Sequence, residues 1–251
     1  IRDLFVEPQP ELPPPKETEL LVRVRAVGLT FRDVLNVLGE YPGDPGPPGG
    51  DAAGAVAEAD VRALLTAGRA TFGLCHAPLA YVARTLTPLL AYQPAAQTFD
   101  QACTLPVTWS TTHTALERAR LHAGRFMVVH AAAGGVGLKA VEYAQWLAAR
   151  SLGTAGRAQK HAQLGMLGAL SSSRDGAAFA AGAAKLLGAT RSHAALNSLS
   201  LDFIAASFAL LAEGGACMEI GKRGIWATRR YAASAPTAAY CAVALDADMA
   251  S

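Results

Sequence analysis

A chain of 251 residues, 51% hydrophobic and 17% charged, is long enough to bury one large core or two modest ones. Its formal net charge of +2 is too balanced for a nucleic-acid-binding surface, and no apolar run approaches the roughly 20 residues of a membrane helix. The four cysteines, Cys75, Cys103, Cys217 and Cys241, are scattered, with no C-x-x-C pair and no His at ligand spacing. Neither a disulfide framework nor a metal site is expected, and reduced thiols suit a cytoplasmic protein.

The chain opens on Ile-Arg-Asp-Leu, without an initiator Met or a signal-peptide layout, so the expectation is a piece of something longer. Residues 4–17, rich in proline and acid, read as a surface lead-in. Residues 19–27 alternate apolar positions with Arg23 and Arg25, the pattern of a half-buried strand. A short amphipathic segment at 30–38 breaks at a long Pro/Gly loop, 39–50, which has to lie at the surface or line a site. Further strands are expected at 51–58 and within 70–82, giving a first third that is β-rich and irregular.

The character changes near residue 98. Thr98 is placed to cap a helix leading into Ala102, and 115–121 reads as helical again. From residue 126 strand, turn and helix repeat. Strands are expected at 126–130, 151–155, 193–196 and 216–220, and helices at 136–149, 160–167, 177–187 and 202–211. Such alternation means parallel β-α-β units.

The most informative stretch is Phe-Met-Val-Val-His at 126–130 running into Ala-Ala-Ala-Gly-Gly-Val-Gly at 131–137. An apolar strand that ends in a glycine-rich turn and opens a helix is built to hold a dinucleotide pyrophosphate. The glycines admit the phosphates to backbone N–H groups, and the helix N-terminus supplies positive dipole.

Seven motifs follow one another along the chain: Leu-Thr-Phe-Arg-Asp-Val-Leu-Asn-Val-Leu-Gly at 29–39, Tyr-Pro-Gly-Asp at 41–44, Gly-Gly-Asp-Ala-Ala-Gly at 49–54, Leu-Pro-Val-Thr at 105–108, the turn at 130–137, Leu-Asn-Ser-Leu at 196–199 and Glu-Ile-Gly-Lys at 219–222. In these motifs and their order the chain resembles the enoyl reductase domains of type I polyketide synthases and animal-type fatty acid synthases. These form a zinc-free branch of the medium-chain dehydrogenase/reductase superfamily. The resemblance implies a GroES-like, partly open β-barrel domain at 1–107 that binds substrate, and a Rossmann-type doubly wound parallel sheet at 108–251 that binds NADPH. It also implies a final stretch returning to the first domain, beyond Ser251. The chain departs from the family at Thr30, where Asn is usual, and at Asp51, where Glu is usual. The zinc-dependent branch carries Gly-His-Glu where this chain has Gly49, Gly50 and Asp51, so that ligand is missing. A short-chain reductase would need Tyr-x-x-x-Lys, and none of the six tyrosines has Lys four residues later.

Ala133, Gly134, Gly135, Val136 and Gly137 are assigned to the pyrophosphate. After the next strand comes Gly156, then Arg157 and Lys160, with no carboxylate. Two cations where an acid would bind a ribose hydroxyl predict a 2′-phosphate, and hence NADPH; solvated cations at a helix start are the alternative. Asn197, at a strand C-terminus, either contacts the nicotinamide ribose or caps its turn. Thr108 either faces the nicotinamide or serves the core. The resemblance places the family's proposed proton donor at Lys222, beside the cofactor. It brings an acid next to that lysine at Asp246, although polyketide enzymes often carry it where this chain has Ala244. It makes Tyr41 a third candidate, acting on the face of enolate protonation; a packed loop aromatic is the alternative.

The reaction implied is NADPH-dependent reduction of an enoyl thioester on an acyl carrier protein, with other synthase domains in the same chain and a homodimer as an expectation from the resemblance. The alternatives are a free-standing quinone or enone reductase and a degenerate domain that binds NADPH without catalysis.

Overall fold

The computed structural model describes residues 7–44, 46–59, 65–165, 170–199 and 201–245. The chain divides into two compact units, Ile1–Thr108 and Trp109–Ser251.

The described residues of the first unit form an open antiparallel sheet of five strands, in the order β4-β1-β2-β3-β5. Its elements run β1 (Glu19–Gly28), α1 (Phe31–Val37), β2 (Asp51–Ala59), β3 (Ala70–Leu74), β4 (Val82–Leu86) and β5 (Leu90–Tyr92), then α2 (Phe99–Ala102) and the start of α3 (Pro106–Arg118). Two register shifts between β1 and β2 bend the central pair. Leu20, Val22, Ala52, Ala53 and Val56 bury its inner face. The lead-in is tied down at Gln9, whose amide bonds both the carbonyl and the N–H of Val82, at 2.6 and 2.9 Å. Thr98 caps α2 reciprocally with Gln101: its hydroxyl accepts the Gln101 N–H at 3.2 Å and the Gln101 side chain accepts the Thr98 N–H at 3.0 Å.

The described residues of the second unit form six parallel strands. They are β6 (Phe126–Val129), β7 (Arg150–Ala155), β8 (Leu170–Ser172), β9 (Ser192–Asn197), β10 (Leu211–Glu219) and β11 (Ala239–Ala242). Between them lie α4 (Gly135–Trp146), α5 (Ala158–Gln163), α6 (Gly176–Leu187), α7 (Asp202–Leu210) and α8 (Thr228–Ser234). All four residues of β6 are buried. Met127 and Val129 pack with Ala140, Val141, Ala144 and Leu196 on one face; Phe126 and Val128 pack with Phe179, Ala183 and Phe203 on the other. Apolar side chains on both faces are what a parallel sheet between two helix layers requires.

The sheet order is β11-β10-β9-β6-β7-β8. The chain runs outward from β6 in one direction through β7 and β8, then returns beside β6 at β9 and runs outward the other way. The reversal opens a crevice beyond the C-terminal ends of β6 and β9, where α/β sheets bind ligands.

Several elements differ from the sequence reading. The helix expected at 115–121 begins at Pro106, and residues 119–121 form its closing turn. Its first half, Val-Thr-Trp-Ser-Thr-Thr, has poor helix propensity, but Pro106 suits the first turn and tertiary packing decides the rest. The helix expected at 160–167 is α5, which ends at Gln163. Strand β8 and helix α8 carry too little periodicity to stand out in the sequence.

Candidate functional site

The turn after β6 is held on both sides. Ala131 has φ +48°, a left-handed conformation rare for alanine. Its N–H donates to Thr154 Oγ1 at 3.0 Å, and the Ala132 N–H donates to the Thr154 carbonyl at 2.9 Å, so β7 clamps the turn. The Gly134 N–H closes it onto the Ala131 carbonyl at 2.8 Å. Gly134 is the N-cap of α4 and contributes no side chain, leaving the first N–H groups of the helix without a side-chain cap. A β-carbon at Gly137 would stand 2.5 Å from the Ala131 carbonyl oxygen and 2.7 Å from the Ala132 Cα. Only glycine lets α4 approach the strand end so closely. Bare backbone, a helix N-terminus and no side-chain bulk fit a dinucleotide pyrophosphate.

Beyond β7 an open groove of about 530 Å³ is lined by Gly156, Arg157, Ala158, His161, Ser172 and Gly182, among others. Arg157 is the N-cap of α5, and both Arg157 and Lys160 are exposed. A third cation joins them: Arg174, just after β8, lies over Gly156, where a β-carbon would stand 2.5 Å from its Nε and 3.0 Å from Ser173 Oγ. The sequence reading missed Arg174 because it missed β8. The Ser-Ser-Ser-Arg run at 171–174, following an apolar stretch, was the available signal.

At the other side of the crevice Asn197 is fully buried. Its Nδ2 donates to Glu219 Oε2 at 2.7 Å, and its Oδ1 accepts the Leu199 N–H at 3.1 Å, capping the turn after β9. Glu219, also fully buried at the end of β10, accepts the Gly221 N–H on Oε1 at 2.7 Å. That bond tightens the turn leading to Lys222, which is half-buried at the C-terminal end of the sheet. In the sequence Glu219 shows only as the first residue of a motif; a lone acid closing the apolar run Ala-Cys-Met is the signal of its buried role.

The other candidates stand in the first unit or beyond the described residues. Tyr41, half-buried, belongs to the loop after α1 in the first unit. The Thr108 hydroxyl donates back to the carbonyls of Thr104 and Leu105, both at 3.0 Å, as a helix residue satisfying its own backbone. Asp246 lies outside the described residues. Asp51 is 1% exposed and accepts the Val107 N–H at 2.9 Å, at the start of α3. Burial pushes its carboxyl up to about 7 against the Val107 bond, with the charge of Asp33 adding to the rise. Asp33 in turn accepts the Gly49 N–H at 2.7 Å and so ties the Pro/Gly loop to α1. Among the described residues no His, Cys, Asp and Glu cluster could hold a metal, and no helix is long and apolar enough to cross a membrane.

No family model matches the chain. It is 39% identical over 232 residues to NorB of the spectinabilin polyketide synthase system of Streptomyces orinoci, covering 90% of this chain and 10% of that protein. It is 39% identical over 230 residues to the erythronolide synthase EryA2 of Saccharopolyspora erythraea, covering 88% of this chain and 6% of that one. The chain thus spans a small part of the curated relatives it matches. Among solved structures the CurK enoyl reductase superposes with a TM-score of 0.89 at 30% identity, over 96% of this chain and 77% of that one. The quinone oxidoreductase of Thermus thermophilus, solved also as its complex with NADPH, superposes with a TM-score of 0.77 at 27% identity, over 99% and 78%. Together with the crevice, the glycine turn and the Glu-Ile-Gly-Lys strand end, these matches show that the chain belongs to the enoyl reductase domains of polyketide synthases, within the medium-chain dehydrogenase/reductase superfamily.

Proposed function

We propose that the chain reduces the α,β double bond of an enoyl thioester carried on an acyl carrier protein, using NADPH. The reading is carried by Gly137, whose missing β-carbon lets α4 meet the strand end as a pyrophosphate seat. The NADPH complex of the Thermus thermophilus relative supports the choice of dinucleotide.

When bound, NADPH supplies the hydride taken up at the β-carbon of the thioester. The chain's own residues seat and orient it: residues 133–137 hold the pyrophosphate, and Arg157, Lys160 and Arg174 around Gly156 hold the 2′-phosphate. Asn197, through Glu219, shapes the wall of the crevice on the ribose side, and Thr108 stands on the nicotinamide side. Lys222 donates a proton to the α-carbon of the enolate. Asp246 keeps that ammonium charged, and Tyr41 biases the face on which the proton arrives. The partners of this reading are the carrier protein, the neighbouring synthase domains and a second copy in the assembled synthase, in the cytoplasm.

The test is NADPH oxidation by the purified chain with a crotonyl thioester and, separately, with a quinone. Turnover of the thioester alone supports the reading. Turnover of the quinone alone replaces it with a quinone reductase, and turnover of neither makes the domain a non-catalytic one.

A further inference from the structure

His130, the last residue before the turn, is 1% exposed, and burial pushes its imidazole down to about 3. The ring is therefore neutral at any working pH. Its backbone is pinned to β9: the N–H donates to the Leu196 carbonyl at 3.0 Å, and the carbonyl accepts from Ser198 Oγ at 3.3 Å. The ring is gripped edge-on by Phe179 and Phe203, with centroids at 4.7 and 5.2 Å. Its two nitrogens meet two hydroxyls, Nε2 at 2.8 Å from Ser207 Oγ on α7 and Nδ1 at 3.4 Å from Thr154 Oγ1 on β7.

The proton directions follow from counting donors. Ser207 has one hydroxyl proton, and it goes to the Phe203 carbonyl at 2.7 Å. Ser207 Oγ then accepts from the imidazole, so Nε2 carries the ring proton and Nδ1 offers a lone pair. Nδ1 takes the Thr154 hydroxyl proton. Thr154 Oγ1 is left to accept the Ala131 N–H at 3.0 Å. One chain of bonds thus runs from Ala131 through Thr154, His130 and Ser207 to Phe203, every donor used in the same direction.

Ala131 is the residue that needs such support. An alanine at φ +48° costs about 1 kcal/mol relative to its ordinary conformation, and it persists only where neighbours hold it. We infer that His130, held in its Nε2–H tautomer by Ser207, is a positioning residue for the dinucleotide. It orients the Thr154 hydroxyl that fixes the Ala131 peptide, and with it the turn that aims the α4 N-terminus at the pyrophosphate. This rests on the reading of that turn as the pyrophosphate seat.

Because both NADPH and NADH carry the pyrophosphate, loss of the relay weakens both equally, unlike loss of a cation near Gly156. Ser207→Ala and His130→Phe are expected to raise both dissociation constants by the same factor, roughly three- to tenfold, the range spanned by one lost hydrogen bond. The KM for the enoyl thioester stays put. His130→Gln, whose amide nitrogen can still donate to Ser207, recovers most of the affinity. Nitrogen-15 NMR of the histidine-labelled wild-type chain is expected to show the Nε2–H tautomer for His130, unchanged between pH 5.5 and 8.5, a readout independent of whether any variant folds. Wild-type binding with equal affinity in the folded variants, or an Nδ1–H tautomer, overturns the inference alone. A wild-type chain that binds neither dinucleotide overturns the cofactor reading and this inference with it.

Discussion

Arg174 lies across Gly156, so close that a β-carbon on residue 156 would stand 2.5 Å from the arginine Nε. The two residues come from different β-α units, and the missing side chain of one makes room for the cation of the other. On the proposed function, Arg174 joins Arg157 and Lys160 in choosing between the two dinucleotides. Arg174→Ala is expected to raise the dissociation constant for NADPH about tenfold, the cost of one charge-assisted phosphate contact, and to leave that for NADH unchanged. Parallel titrations of both cofactors check it, and an equal loss for both would remove Arg174 from the 2′-phosphate.

Gly137→Ala places a methyl group 2.5 Å from the Ala131 carbonyl oxygen, and the atoms it meets are backbone. The clash is expected to cost about 1–3 kcal/mol and to remove NADPH binding, since α4 has to move off the strand end. Gly134→Ala meets the same oxygen at 3.2 Å and is expected to be the milder change. Thermal unfolding and cofactor titration of the pair settle it; equal effects would mean that close helix approach is not what the turn depends on.

Lys222→Ala is expected to lower kcat with the enoyl thioester by about a hundredfold or more, as loss of a general acid does. The smaller effect falls on NADPH affinity. Glu219→Ala removes the bond to the Gly221 N–H that tightens the turn before Lys222, and is expected to lower kcat in the same direction. Stopped-flow measurement of NADPH oxidation distinguishes these from a simple loss of binding. An unaltered kcat in Lys222→Ala would move the proton donor elsewhere.

Asp51 makes the stability of the first unit depend on pH. Its carboxyl titrates near 7 when folded, against 3.8 for the free group, because burial disfavours its charge. The folded chain thus keeps a proton that the unfolded chain releases, and stability falls as pH rises from about 4 to 7, then levels off. Asp51→Asn removes this loss while its amide oxygen can still accept the Val107 N–H. The variant is expected to melt several degrees above wild type at pH 8, with the gap closing towards pH 4. A gap that stays constant with pH would show that Asp51 is ionised throughout.

The glycine-rich turn was legible in the sequence because its pattern is local: strand, bare backbone and helix follow one another within a dozen residues. The β-α alternation was legible for the same reason, and Thr98 announced its helix three residues before Gln101 answered it. What did not show were partners that meet only after folding. Arg174 stands 18 residues beyond Gly156 in the chain and reaches it through an unanticipated three-residue strand. Glu219 and Asn197 were both in view, yet nothing in either motif says that the amide of one is bonded to the carboxylate of the other. Helix α3 begins well before the 115–121 stretch that reads as helical, because packing and a proline at the first turn overrule the weak helix propensity of Val107, Thr108, Thr111 and Thr112.

The neighbour of β6 on one side is β7, and on the other it is β9, whose Leu196 carbonyl accepts the N–H of His130. That second pairing has a temporal consequence. As the chain is made, the glycine turn emerges about 60 residues before the strand that closes it, and loop closure over that distance is slow to become favourable. The nascent turn then has only β7 to lean on. On the proposed function, dinucleotide affinity should arise late, in step with the addition of β9, so that the cofactor is a ligand of the finished sheet and not a scaffold for its assembly.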